Sequence, residues 1–159
     1  MKIPVSRIPL PRRRQDGVAA VELALLLPIL LVFLTIPIFY ARCFWHYTVT
    51  QKAAQDATRY LATIPASEMM SKPLATAAGN LAIEIAKREM AELSPGTEIQ
   101  EPTAYCDTVI CGLKATGTVP TTVRIYIQFS MFDQLFGSVD VGWDGLPITA
   151  DITMNYVGN

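Results

Sequence analysis

Charge is scarce in this 159-residue chain: Asp, Glu, Lys and Arg make up 17% of it and apolar types 51%, where an average soluble domain carries roughly 25% charged residues. That composition excludes a disordered or highly charged tail protein. Histidine occurs once and cysteine three times, too few to supply a metal centre, since two neighbouring thiols would lack two further ligands. No Gly-rich phosphate loop, paired-carboxylate motif or metal-binding His pair occurs, and Asp140, Asp144 and Asp151 do not have the spacing of a calcium loop. The single His46 has no Ser or Cys nucleophile beside it, and anchoring is its expected role. These absences point to a non-enzyme without catalytic residues, metal or cofactor. Internal repeats and low-complexity tracts are also missing, and the length suffices for one folded head.

The net charge of −1 conceals an asymmetry. Residues 1–16 carry Lys2, Arg7, Arg12, Arg13 and Arg14 against Asp16, a net of +4 that leaves −5 for the rest. A short basic leader ahead of an acidic body is a targeting pattern, and with the cations outside any foldable region nucleic-acid binding is excluded. From Val18 to Ala41 the only charged residue is Glu22. As a helix this stretch would rise about 36 Å, more than the roughly 30 Å hydrocarbon core of a bilayer. The cations before it place the N-terminus in the cytoplasm and the body outside. Phe39, Tyr40, Phe44, Trp45 and Tyr47 follow the run, residue types suited to a lipid–water boundary. Cleavage as a secretory signal would need small residues before the cut, and Phe39 stands where one is required if Ala41 is last; a lipoprotein cut before Cys43 would meet Arg42.

Beyond the run, Val49, Ala53, Ala57, Tyr60 and Ile64 recur at helical spacing, which predicts that the same helix continues to Pro65, some 69 Å from Val18, with bends at Pro28 and Pro37. A second helix is expected to start at Ser71 or Lys72 and present Leu74, Ala78, Leu81 and Ile85, with Met90 and Leu93 beyond, before Ser94-Pro95-Gly96. The period then changes to two. Val123, Ile125, Ile127 and Phe129, and again Ile148, Ala150, Ile152, Met154 and Tyr156, alternate with polar residues. They predict two strands with a turn at Asp144-Gly145, and a weaker strand at Thr97–Thr103. The fold class expected is α+β, a long transmembrane and stalk helix and a second helix with a small antiparallel sheet.

Cys106 and Cys111 enclose four residues, and in an oxidising periplasm such a pair is expected to form a disulfide that staples a small head; the alternative is two free thiols. Cys43, left over, reads as a small buried packing residue, with a cross-link between subunits as its alternative.

Two readings of Glu22 stand. It can lie solvated at the cytoplasmic interface near a helix N-terminus, where the macrodipole favours it, or it can be drawn into the apolar layer, where an unpaired carboxylate costs roughly 2.5–3.5 kcal/mol at the centre. The string Arg12-Arg13-Arg14-Gln15-Asp16-Gly17-Val18-Ala19-Ala20-Val21-Glu22 resembles a prepilin leader, with Gly17 at the cut and Glu22 fifth after it. With the following Leu23-Ala24-Leu25-Leu26-Leu27-Pro28 and Ala53-Ala54-Gln55-Asp56-Ala57-Thr58-Arg59-Tyr60-Leu61-Ala62, residues 12–63 resemble the TadE-like family of the tight adherence (Flp pilus) machinery. The resemblance implies a pilin-like architecture and a minor pilin or pseudopilin. A prepilin peptidase would cut between Gly17 and Val18, and Glu22 would dock on a neighbour's new terminal amine. Its expected partners are that peptidase, other pilins and pseudopilins, an inner-membrane assembly platform and the lipid bilayer. Its place would be the bacterial inner membrane, single-pass with a periplasmic head, until incorporation into a pilus. Leu23 stands where major pilins of this kind often have Tyr, which argues for a minor subunit, and Val18 where many pilins have Phe, so methylation is not implied. The expected divisions are a leader at 1–17, a membrane helix at 18–41, its extension at 42–64 and a head at 65–159. The rival reading is a signal-anchored periplasmic protein whose head binds a ligand or partner and which is not processed as a prepilin.

Overall fold

The computed structural model describes residues 16–93, 99–114, 116–131 and 145–158. The basic leader residues 1–15, the Ser94-Pro95-Gly96 turn, Asp140 and Asp144, with the first residue of the expected Asp144-Gly145 turn, lie outside the described residues. The elements are α1 (Asp16–Ala62), α2 (Ala66–Met69), α3 (Lys72–Glu89), β1 (Thr103–Cys106), β2 (Val109–Ile110), β3 (Thr122–Met131) and β4 (Leu146–Asn155). A long N-terminal apolar helix, further short helices and a small antiparallel sheet make the fold α+β. The chain divides into two units, Met1–Ile38 and Phe39–Asn159.

In the first unit α1 is helical through Pro28 and Pro37. Each proline removes one backbone donor and leaves the carbonyl four residues before it, of Ala24 and of Phe33, without its helical partner. Thr35 returns its hydroxyl to the Leu31 carbonyl at 2.7 Å. From Val18 to Leu34 all described side chains are exposed, most of them large and apolar.

The second unit has its own core. The sheet runs β2-β1-β3-β4 with every pair antiparallel, and β3 and β4 pair over ten residues from Thr122↔Asn155 to Met131↔Leu146. Alternation puts Val123, Ile125, Ile127, Phe129, Ile148 and Ala150 on the buried face and Arg124, Tyr126, Gln128 and Asp151 on the other. The first strand of the sheet starts at Thr103; residues 99–102 form none of the strand expected there, and Pro102 could give no ladder hydrogen bond. The two-residue β2 and the one-turn α2 are too short for periodicity to reveal.

The part of α1 in this unit buries Cys43, His46, Thr50, Ala53, Ala54, Ala57, Thr58 and Leu61. That stripe is rotated from the expected one, for Val49 and Tyr60 are only half-buried. The difference arises because two threonines lie in the core: Thr50 and Thr58 donate to the carbonyls four residues back, His46 at 2.7 Å and Ala54 at 2.6 Å, and so bury no unpaired hydroxyl. Pro65 disfavours helix at Ile64 and stops α1. The chain after β4 then serves the helix end, with Val157 N–H donating to Ala62 O at 3.0 Å and the Tyr156 hydroxyl to Ile64 O at 2.5 Å.

On α3 the expected stripe holds at Ala78 and, beyond the helix, at Met90 and Leu93, but is corrected at Leu74 and Leu81. These are 48% and 49% exposed, and the buried face of the helix is Ala75, Ala78, Gly79, Ala82 and Ala86. Small residues let the helix approach the sheet closely: a Cβ on Gly79 would lie 3.1 Å from that of Cys111 and 3.7 Å from that of Ala104.

Candidate functional site

Gly17 and Val18 occupy the first turn of α1, and an added Cβ at Gly17 would meet nothing within 4 Å. Glu22 lies four residues after Val18, hence on the same helix face one turn along. It is exposed, with no ion-pair partner among the described residues, in a stretch whose large neighbours Val21, Leu23, Leu25 and Leu26 are also exposed. The structure therefore brings Val18 and Glu22 together on one apolar surface. The cations of Arg12, Arg13 and Arg14 fall outside the described residues.

The head holds a second cluster. Cys106 closes β1 and Cys111 follows β2; their Cα atoms are 4.8 Å apart and they form a disulfide buried beneath α3. Between them the two-residue turn begins with Asp107 at φ 58°, a left-handed conformation that Asp tolerates better than most side chains. Its carboxylate accepts from the backbone N–H groups of Thr121 at 2.8 Å and Thr122 at 2.9 Å and pairs with the Lys114 ammonium, which also donates to Val119 O at 3.1 Å. Burial works to raise the Asp107 pKa, but the hydrogen bonds from Lys114, Thr122 and Thr121 together outweigh it and hold the carboxyl below its ordinary range. This brace ties the hairpin to the loop entering β3. No motif announces this brace; the only signal is an Asp between two closely spaced cysteines.

Two further contacts escaped the sequence reading. Arg124 and Asp151 pair across β3 and β4, with the guanidinium within 5.6 Å of the Tyr105 ring centre and 5.8 Å of that of Tyr126. Glu89 of α3 lies 3.9 Å from Lys52 of α1, and its pKa is raised by burial first and then by the Asp56 carboxylate. Asp151, weighed earlier for calcium, is thus engaged with arginine. No group of three or more His, Cys, Asp or Glu able to hold a metal occurs among the described residues.

His46 is corrected. It is fully buried in the head rather than exposed at a boundary, its Nδ1 2.8 Å from Arg42 O and its ring 5.1 Å from that of Trp45 and 6.5 Å from that of Phe129. Nδ1 donates to Arg42 O, and Nε2 has no hydrogen-bond partner among the described residues. Cys43 is buried one turn before it.

Residues 17–59 match the family model described as TadE-like protein. The matched segment starts at Gly17, contains Glu22 and the apolar run, and stops three residues before the end of α1. No curated protein and no solved structure matches the chain.

Proposed function

With a TadE-like segment over residues 17–59 as the premise, we propose that the chain is a minor pilin or pseudopilin of the tight adherence machinery, matured by a prepilin peptidase between Gly17 and Val18. The observation that carries the reading is the coincidence of three features at one helix end. The match begins at the glycine, the only carboxylate of the apolar run stands one turn after the residue that would become the N-terminus, and the surface around both is exposed and apolar.

The cut would remove residues 1–17 and their five cations, freeing the N-terminus from attraction to the cytoplasmic face. It would also create an amine at Val18 in or near lipid, where a carboxylate offsets its desolvation. Glu22 of one subunit would pair with the Val18 amine of the next and set their register. Residues 18–41 would cross the inner membrane with the N-terminus inside, residues 42–64 would extend the helix and residues 65–159 would form the periplasmic head, its Cys106–Cys111 pair oxidised in that compartment. The partners are the peptidase, the other pilins and the inner-membrane assembly platform.

Replacing Glu22 tests the assembly role. Glu22→Ala is expected to reach the membrane at normal levels, keep its disulfide and fail to co-purify with pilins of the same system. Glu22→Asp should recover them in part, the charge being kept and its reach shortened. Normal recovery with Glu22→Ala would refute the pairing.

A further inference from the structure

The exposed surface of α1 does not turn polar where the uncharged run ends. Tyr40, Phe44, Trp45 and Tyr47 are all exposed, Phe44 at 68%, with Arg42 half-buried as the one charged residue among them, and polar residues become the rule only with Thr48, Gln51, Lys52 and Gln55. A bilayer with its headgroup layers is about 40–45 Å thick, a depth that roughly 30 helical residues fill, and thirty residues run from Val18 to Tyr47.

The sheet shows the same change. β4 opens with Leu146, 43% exposed, and Pro147, also exposed, and becomes polar on its outward side at Thr149. The two changes fall at one level, because Gln51 Nε2 reaches Thr149 O at 3.4 Å. On the apolar side of that contact Tyr40, Phe44 and Tyr47 face Leu146 and Pro147 across an open groove of about 370 Å³. Aromatic residues with a polar edge suit a headgroup layer. Pro147, lacking an N–H, takes one backbone donor away from a strand entry where lipid could not satisfy it.

We propose that the base of the head, formed by Tyr40, Phe44 and Tyr47 of α1 with Leu146 and Pro147 of β4, is a lipid-binding surface that sits in the headgroup layer and takes phospholipid chain segments into its groove. The inference rests on the membrane-anchored reading above. The Gln51–Thr149 contact marks the waterline, and the head is seated on the bilayer before assembly rather than standing clear of it.

Single-tryptophan reporters in full-length protein lacking its own indoles (Trp45→Phe, Trp143→Phe) test this in phosphatidylcholine vesicles brominated near the headgroup end of the acyl chain for the two head reporters and near its methyl end for Leu30→Trp. Leu30→Trp reports on the anchor, Leu146→Trp on the head base and Gln55→Trp on the surface beyond the waterline; intact mass of unreduced protein checks that each keeps its disulfide. The expected result is loss of most fluorescence for Leu30→Trp and Leu146→Trp, relative to unbrominated vesicles, and none for Gln55→Trp. Quenching of Leu30→Trp without Leu146→Trp would overturn the proposal while leaving the anchor intact, and would assign the groove to a protein partner. Quenching of Gln55→Trp as well would overturn the waterline. No quenching of Leu30→Trp would remove the anchored reading and the proposal with it.

Discussion

One helix serves two regions, and its side chains are used in opposite ways. From Val18 to Leu34 leucine, isoleucine, valine and phenylalanine are exposed, while from Cys43 to Leu61 the buried residues are mostly alanine, threonine, cysteine and histidine. The same inversion recurs on α3, where Leu74 and Leu81 face outward and alanines face the sheet. On α1 and α3 the large apolar side chains lie mostly on exposed surface and the small ones where the helix packs into the head, while the sheet buries its own large residues, Ile125, Ile127 and Phe129. Hydrophobicity alone does not tell which face of a helix is buried; close approach of backbones selects small residues there.

The comparison is broken most severely by removing equal rings from the two regions. Phe129→Ala takes a fully buried ring from the core and should cost about 3–5 kcal/mol. Phe33→Ala, 70% exposed in the first unit, should leave thermal unfolding of the detergent-solubilised head unchanged. Equal effects would show that the two units share one core.

The next largest effect is expected at the staple. Cys106→Ser with Cys111→Ser should lower head stability by about 2 kcal/mol, the chain-entropy value for so short a loop. Gly79 packs on Cys111, so hydrogen exchange in α3 should quicken along with that of the hairpin. Exchange unchanged in α3 would separate the staple from the helix it lies beneath.

Acid sharpens the contrast within the head. The Asp107 pKa is depressed on folding, so its contribution is complete above the unfolded value near 3.9 and is lost as pH falls through that value toward the folded one. Glu89 is raised, chiefly by burial, so it acts in the other direction: what it contributes is present below the unfolded value and is lost as pH rises through the folded one. Asp107→Asn should therefore flatten the acid limb of the stability curve, and Glu89→Gln should steepen it. A curve of unchanged shape in both variants would contradict these assignments. The smallest effect belongs to Arg124→Ala, which removes a partly exposed pair with Asp151 and should cost about 0.2–1 kcal/mol.

Much of this architecture was legible in the sequence because it rests on period and length. The alternation of Val123, Ile125, Ile127 and Phe129 and that of Ile148 and Ala150 both gave strands with the correct buried face, and Pro73 marked the start of α3. What failed did so for physical reasons. Ala53, Ala57 and Ile64 of the expected α1 stripe are buried, but Thr50 and Thr58 were missed because they satisfy their hydroxyls within the helix, which residue type alone does not reveal. Leu74 and Leu81 outweighed Ala75 and Ala82 in a reading that equates size with burial, although close approach to the disulfide demands the reverse. His46 was assigned by its aromatic neighbours in sequence, whereas its position in the fold is set by the helix face it shares with Cys43 and Thr50. The brace at Asp107 and the Arg124–Asp151 pair depend on registers that exist only once the strands are paired. Gly17, Val18 and Glu22 were singled out by the resemblance of residues 12–22 to a prepilin leader, and helical spacing adds only that Val18 and Glu22 share one face.

The central claim is that Gly17 marks a processing site, and the mass of the membrane-extracted protein after coexpression with a prepilin peptidase tests it most directly. The account predicts a product beginning at Val18, lacking the first 17 residues of the sequence, and full-length protein when Gly17→Val is expressed in the same way. An intact N-terminus in the presence of active peptidase, or identical processing of Gly17→Val, would contradict it.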